Sequence, residues 1–520
     1  MDPNSDTKFA TRSLLAALDE SQELQTYQAL LSTDSDRSDD AIAISASALE
    51  EFKTAPLIWW DVKQHLSEPQ PNVESTAPEQ STTRSTLTNS KTSLQQYAVL
   101  GHVPKENAVN TASKPVLLNT NSPWSAFLCG SQGSGKSHAL SCMLENCLLQ
   151  NDSIGKNPHP LAGLVFHYDS HQGSGVCEAA YLCSSVPTTV LVSESNFGRL
   201  KVDYEAMAAR HQGEISVRKM KLLSSHLDTE RVKTLMAIGK DGELPLYMHI
   251  LIKILRDMAK ANGGIGAFDY KQFKRMLDEQ GFSDKQNSPL NMRLALLESF
   301  IDTAKRAGPD FLVGNPGTLT IIDLTDPVVD ADSACVLFDI CLSIFISQTA
   351  CGKIVALDEA HNYMTEESSA AKQFTNRLLK TIREQRHQAT RVVVATQEPT
   401  INTALLDLCS VTMVHRCTSP AWFAVLKKHI AGMFLNGNSM SSEGSGGEEG
   451  DEIGKKGKVD KELFQQIVQL KLGESLLFCP TAAVAVDGNE IVRMVDRYVK
   501  FKTRERVTAD GGTTKLAGDA

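Results

Sequence analysis

The run Phe127-Leu128-Cys129-Gly130-Ser131-Gln132-Gly133-Ser134-Gly135-Lys136-Ser137 constrains this chain more than any other feature, because an apolar segment empties into G-x-x-x-x-G-K-S. Ala126 to Cys129 reads as a buried strand, and His138 to Leu149 carries apolar residues at helical spacing. Strand, glycine-rich loop and helix in that order form a phosphate cradle. The glycines let backbone N–H groups curl round triphosphate oxygens at the positive end of a helix. On this reading Gly130, Ser131, Gln132, Gly133, Ser134, Gly135, Lys136, Ser137 and His138 line the nucleotide. Lys136 reaches the β- and γ-phosphates and Ser137 holds Mg²⁺, so ATP and Mg²⁺ are the implied cofactors. A glycine-rich turn without nucleotide is the bland alternative, and the flanking strand and helix count against it.

A second motif supplies what such a cradle needs. In Lys353-Ile354-Val355-Ala356-Leu357-Asp358-Glu359-Ala360-His361 an apolar run ends in two acids. Asp358 would hold Mg²⁺ and Glu359 would orient and activate the attacking water. A helix N-cap is the other use of such a pair. The second acid favours hydrolysis coupled to motion over a slow switch. Arg391-Val392-Val393-Val394-Ala395-Thr396-Gln397 is a third strand-like run, and its Gln397 is placed to sense the γ-phosphate or merely to satisfy loop backbone. Just before it, Phe374, Leu378 and Ile382 share a helical stripe, with Lys372, Arg377, Lys380, Arg383 and Arg386 off it. An arginine reaching a neighbouring subunit's nucleotide raises turnover by roughly 10³–10⁵. Arg386 is the first candidate for that role and Arg416 the second.

The rest of the chain divides around these motifs. Residues 1–95 read as a largely disordered front that could recruit an unknown protein partner. It holds a short amphipathic helix over Leu14 to Leu31, an apolar knot Leu57-Ile58-Trp59-Trp60 that docks on the main domain, and a polar linker from Ser67 to Ser93. From 96 the pattern is α/β, with strands expected at Ala126–Cys129, Gly163–His167, Thr189–Val192, Leu319–Asp323, Lys353–Leu357, Val392–Thr396 and Ser475–Cys479. Such runs separated by helices imply a mainly parallel sheet covered on both faces. Residues 96–198 and 313–500 would form the two parts of the core. Between them 199–312 reads as a helical insertion without a good strand, with helices at Leu246–Met258 and Met292–Ile301. A Gly/Ser/acid-rich stretch, 436–458, reads as a flexible loop, and 501–520 as a tail.

Composition narrows the functions. The net charge of −10 excludes a surface that is basic all over, so nucleic-acid binding would need a local patch or pore lining. Basic residues do gather locally, at Arg493, Arg497, Lys500, Lys502, Arg504 and Arg506 and at Arg218, Lys219 and Lys221. The eleven cysteines form no C-x-x-C pair, which suits a reducing compartment. Cys335 to Ile346, the longest apolar run, falls short of the ~20 residues a bilayer needs and reads as a buried helix. No membrane span and an intracellular location, cytoplasmic or nuclear, are the expectation.

Taken in order, Gly130–Ser137, the strand Leu319–Leu324, the Asp358-Glu359-Ala360-His361 box, Glu384-Gln385-Arg386-His387, Ala395-Thr396-Gln397 and the late Leu472-Gly473-Glu474-Ser475-Leu476-Leu477-Phe478-Cys479-Pro480 resemble the HerA/FtsK superfamily over about residues 96–500. Those are ring-forming P-loop ATPases with a RecA-like core that pump or process DNA. The resemblance implies a homo-oligomer, a hexameric ring, acting on DNA. It makes Lys136 and Ser137 ligands of nucleotide and metal, Asp358 a metal ligand, Glu359 the water activator and Gln397 the sensor. The arginine of the family's E-G-R-K stretch falls on Arg386, although Gln385 and His387 stand where Gly and Lys are usual. Two other readings are a DEAH-type helicase, which the short chain after Gln397 opposes, and an ATP-gated scaffold, which Glu359 opposes.

Overall fold

A computed structural model describes residues 46–67, 94–104, 113–170, 175–236, 246–261, 263, 268–282, 290–291, 294–295, 298–301, 310–365, 368–430, 452–488 and 490–511. Numbered along the chain, the first elements are α1 (Ala46–Thr54), β1 (Leu57–Trp59), α2 (Trp60–Ser67), β2 (Tyr97–His102), β3 (Pro115–Leu118), β4 (Ser125–Cys129), α3 (Lys136–Leu148), β5 (Gly155–Lys156), β6 (Ala162–His167), β7 (Thr188–Val192), α4 (Phe197–Arg210) and β8 (Ile215–Lys219). Then come α5 (Thr229–Met236), α6 (Leu246–Ala261), α7 (Tyr270–Asp278), β9 (Leu319–Asp323), α8 (Ala331–Ile346), β10 (Lys353–Leu357), α9 (Ser369–Arg383), α10 (Gln385–Gln388) and β11 (Thr390–Thr396). The chain closes with α11 (Thr403–Leu408), β12 (Val411–His415), α12 (Pro420–His429), α13 (Glu452–Val468), β13 (Glu474–Phe478), β14 (Ala483–Asp487), β15 (Glu490–Arg493) and β16 (Val499–Thr503).

These strands form one 16-stranded sheet in the order β15-β14-β1-β3-β2-β16-β13-β12-β4-β11-β10-β6-β9-β7-β8, with β5 paired to β2 beside that path. From β12 to β8 every neighbouring pair is parallel. Parallel strands are buried on both faces, and alternate side chains here enter two separate cores. Leu164, Phe166, Val355, Leu357, Val392 and Val394 pack with α8 and α9 on one face. Val165, Ile354, Ala356, Val393 and Ala395 pack with α3 and α4 on the other. α8 carries the apolar run Cys335–Ile346 and is buried along most of its length. Among the described residues no helix is long and apolar enough to cross a membrane.

The expected parallel sheet is thus present, and the structure adds to it. β13, β16, β2 and β3 extend it antiparallel from β12. The Leu57–Trp60 knot joins the sheet itself: β1 pairs with β3, Leu57 and Ile58 are fully buried, and Phe52 and Val62 of the flanking helices pack with Leu117. The helix expected over Leu14 to Leu31 and the linker over 68–93 lie outside the described residues.

The reading of 199–312 as free of strands is corrected by β8, which pairs parallel to β7. Only Val217 of β8 is buried, while Arg218 and Lys219 are exposed, as suits an edge strand that must not pair further. Such a strand has no apolar run to show. The helices of the segment share the main core, since Val232, Met248, Leu251, Leu255 and Phe273 pack into the cluster that holds Phe166 and Phe338. The helix expected at Met292–Ile301 lies partly outside the described residues. α13 begins at Glu452, inside the stretch read as a loop to 458. Residues 504–511, read as tail, lie against α3 through hydrogen bonds described below.

Candidate nucleotide site

The cradle follows β4 at the carboxyl end of the parallel strands. Gly130 and Gly135 adopt φ 154° and 103°, a region open to glycine. Side chains there would also collide. A Cβ on Gly130 would lie 2.7 Å from His415 Cβ, and one on Gly135 would lie 2.9 Å from the Gly473 nitrogen. The loop is pinned from outside by the Ser131 N–H, which donates to the Arg416 carbonyl at 2.8 Å. Lys136 opens α3, is 4% exposed, and donates from Nζ to the Ser131 carbonyl at 3.2 Å. Its ammonium therefore lies over the loop. Ser137 follows on the first turn of α3, half-buried. Beneath the loop His415 is fully buried, and burial with the nearby Lys136 charge pushes its pKa down to about 3. A neutral ring there adds no charge under the cradle.

The two acids come from β10, separated from β4 by β11 alone. The Asp358 N–H donates to the Phe166 carbonyl at 3.0 Å, so the residue continues the strand edge. Its carboxylate is buried, and among the described residues Oδ1 has no hydrogen-bond partner. Oδ2 lies 3.8 Å from His167 Nδ1 and 3.9 Å from Cys177 Sγ. Burial raises the Asp358 pKa and His167 opposes that shift.

At Glu359 the chain turns through φ 46° and ψ 47°, a left-handed conformation uncommon for a residue with a side chain. The turn aims its carboxylate elsewhere. Oε2 accepts from Gln397 Nε2 at 3.2 Å and lies 3.4 Å from His361 Nδ1. Burial lowers the His361 pKa, with Glu359 working the other way. Gln397 follows β11, whose register with β10 sets Val394 beside Leu357.

Lys136, Ser137, Asp358, Glu359 and Gln397 are therefore gathered at the ends of three adjacent strands. His138 is turned away: its Nε2 meets the Arg504 carbonyl at 2.8 Å and its Nδ1 lies 3.6 Å from Asp510. Arg416 adjoins the cradle through its carbonyl, with an exposed side chain. Arg386 is also exposed but sits on α10, before Thr390, at the amino ends of the strands and so at the opposite edge from its own cradle.

The residues present fit Mg²⁺ with a triphosphate. A buried carboxylate oxygen stands without a partner beside a loop that excludes Cβ atoms, and Lys136 is close enough to act on that carboxylate electrostatically.

Several neighbours of the site were not legible as such. His167 ends an expected strand, which was the one available signal, whereas Cys177 lies in no motif. Tyr204 of α4 accepts from the Cys177 N–H at 3.0 Å and donates to Asp323 Oδ2 at 2.6 Å, behind the Cys177 thiol that neighbours Asp358. The basic runs proved to be largely committed within the chain. Arg504 and Arg506 pair with Glu145 and Glu178, Lys219 and Lys221 with Glu194, Lys500 with Glu474, and Arg493 with Glu51.

The strand order β12-β4-β11-β10-β6, with the cradle after β4 and the acids after β10, defines a RecA-like P-loop NTPase fold. No family model and no curated protein matches the chain. Solved structures do. VirB4 of Thermoanaerobacter pseudethanolicus is 12% identical with a TM-score of 0.45, the match covering 79% of this chain and 97% of that one. The genome packaging NTPase B204 from Sulfolobus turreted icosahedral virus 2, in complex with AMPPCP, is 8% identical with a TM-score of 0.27, over 69% and 92% of the two chains. The cytoplasmic domain of the Thermomonospora curvata Type VII secretion ATPase EccC is 11% identical with a TM-score of 0.28, over 79% and 29%.

Proposed function

We propose that this chain is a Mg²⁺-dependent ATPase. The observation that carries the reading is the Glu359–Gln397 hydrogen bond at 3.2 Å, made on the strand-end edge that also holds Lys136 and Asp358. A carboxylate fixed by a neighbouring amide, half-open to solvent, suits a base that orients a water. Lys136 and the loop N–H groups bind the phosphates, Ser137 and Asp358 hold the metal, and Gln397 reports the γ-phosphate to Glu359. Mg²⁺, when bound, neutralises charge on the phosphate oxygens.

The order of motifs in the sequence supports a ring motor that moves DNA. Arg386 can serve only a neighbouring subunit's site, because it stands at the far edge of the sheet from its own. A scaffold that merely binds ATP would have no use for the Glu359–Gln397 pair.

Steady-state phosphate release tests the reading. Lys136→Ala and Glu359→Gln are expected to lower turnover at least about 10²-fold, with Glu359→Gln still binding nucleotide, and DNA is expected to stimulate the wild type. Wild-type turnover no faster than that of Lys136→Ala would sink the enzyme reading. Turnover indifferent to single- and double-stranded DNA would sink the DNA reading alone. If Arg386 acts across an interface, mixing Arg386→Ala with Glu359→Gln subunits restores part of the activity.

A further inference from the structure

Behind the Mg²⁺-facing acid lies a second donor set with different chemistry. His167 at the end of β6, Cys177 and Asp358 at the end of β10 are all buried, and one ligand atom from each lies within 4.8 Å of the others. Ordinary hydrogen bonding does not explain the cluster. The His167–Asp358 separation of 3.8 Å is too long for a hydrogen bond, the thiol contact at 3.9 Å is weak, and among the described residues neither ring nitrogen of His167 has a hydrogen-bond partner. A buried imidazole left in that state is costly unless something else satisfies it.

We propose that His167 Nδ1, Cys177 Sγ and Asp358 Oδ2 form a site for a thiophilic divalent cation, Zn²⁺ by its ligand chemistry, and that its occupation withdraws Asp358 from Mg²⁺ and arrests turnover. Imidazole, thiolate and carboxylate are zinc's ordinary ligands, whereas Mg²⁺ takes oxygen and refuses sulfur. Bonds of about 2.0–2.3 Å at tetrahedral angles set such ligand atoms about 3.3–3.5 Å apart, so Asp358 Oδ2 has to close by about half an ångström on each partner, and the His167 and Cys177 ligand atoms, now within 4.8 Å, draw together as the metal binds. The fourth position falls to water.

The support behind the ligands is built in. The Tyr204 hydroxyl holds the Cys177 backbone at 3.0 Å and is itself anchored on Asp323 at 2.6 Å, while the Phe166 carbonyl holds Asp358. Outer contacts of this kind orient metal ligands. Uptake breaks the Cys177 S–H bond, forms a metal–sulfur bond and releases the proton to solvent, so no oxidant or reductant is involved. The arrest, though not the binding, rests on the role proposed for Asp358.

The full-length chain, freed of metal with a chelator, is titrated with Co²⁺ as a spectroscopic stand-in and with Zn²⁺ against a chromophoric chelator. The expectation is one equivalent per chain with thiolate-to-cobalt charge-transfer absorption. That band should be absent in Cys177→Ser, and affinity should be at least about tenfold weaker in His167→Gln. Circular-dichroism melts establish that both variants are folded. In parallel, with Mg²⁺ present throughout, the Zn²⁺ concentration that halves phosphate release should rise at least about tenfold in Cys177→Ser, each protein being referred to its own rate without Zn²⁺. No cobalt band in the wild type, or a band that survives in Cys177→Ser, overturns the site. A band with turnover indifferent to Zn²⁺ overturns the arrest. If the band behaves as stated while the wild type turns over no faster than Lys136→Ala, the ATPase reading has failed and the metal site stands.

Discussion

Glu145, on the side of α3 away from the nucleotide loop, offers the sharpest test of how the cradle is braced. Its carboxylate is fully buried, 2.7 Å from Arg504 Nη1 and 4.0 Å from Arg506 Nε. It also accepts from the N–H groups of Val507 at 3.1 Å and Thr508 at 2.9 Å. One side chain thus ties the chain's last described segment to the helix that begins with Lys136. Glu145→Ala would take a carboxylate partner from two guanidinium groups and leave two backbone donors without their acceptor. Removing one partner from a buried pair costs about 3–5 kcal/mol. The lower end applies here, because Arg504 keeps the Val99 carbonyl and Asn146, and Arg506 keeps Glu178. Glu145→Gln retains an acceptor and loses only the charge, so about 1.5–3 kcal/mol is expected. Urea unfolding gives the two differences from midpoint and slope. Hydrogen exchange gives their location, with residues 504–511 losing protection before the parallel strands do. The reasoning is refuted if Glu145→Ala stays within about 0.5 kcal/mol of wild type, the range of an ordinary surface change, or if exchange in 504–511 is unaltered.

Gly135→Ala introduces a Cβ at φ 103°, 2.9 Å from the Gly473 nitrogen, so a loss of about 1–3 kcal/mol and a marked loss of fluorescent-nucleotide binding are expected; wild-type affinity would contradict the packing argument. His415 gives a pH signature. Its folded pKa of about 3 lies below the ordinary 6.5, so the unfolded chain binds a proton that the folded one refuses between those values. Stability therefore falls as pH drops through that window, by at most about 1.4 kcal/mol per pH unit, and His415→Asn should flatten the slope in acid-titrated urea melts. Identical slopes would show that His415 is not the group responsible.

The legible parts of this fold were those in which chemistry and neighbours are local in sequence. Strands β4, β6, β9, β10, β11 and β13 are buried along their length, β7 at all but Thr189, and each shows as a short, mainly apolar run. Strand β12 was missed although Val411, Met413 and Val414 are apolar and its polar residues, Thr412 and His415, are also buried. Strand β8 hid because an edge favours charge. The far end of the sheet was illegible for another reason: β1 and β15 have three and four residues, and β1 is held by pairings between distant segments, Ile58 with Leu117 antiparallel and Ile58 with Ala483 parallel. The cradle, the acid pair and Gln397 each announce themselves within a few residues. By contrast, the contacts of Asp358 with His167 and Cys177 depend on the order of strands in the sheet, and the bracing of α3 by Arg504 joins segments from opposite ends of the core.

Asp358 and Glu359 show most directly what a motif leaves out. Read as letters they are two adjacent acids, and nothing in the motif shows how their surroundings differ. The backbone separates them. Asp358 keeps the extended path of β10 and enters a buried space beside an imidazole and a thiol, with a side chain 4% exposed. One residue later the left-handed turn, at a cost of about 1–3 kcal/mol, sends Glu359 out to 22% exposure beneath Gln397 and His361. A strand that simply continued would place successive side chains on opposite faces of the sheet, one in each core. The turn prevents that, because it ends the strand and keeps both acids on the strand-end edge in unlike surroundings. The strain at Glu359 persists because Gln397, His361 and the buried Ala360 hold the turn from three sides. The unlike surroundings of the two acids, on which the roles proposed for them rest, are therefore a property of one φ angle, and no count of carboxylates in the sequence could have supplied them.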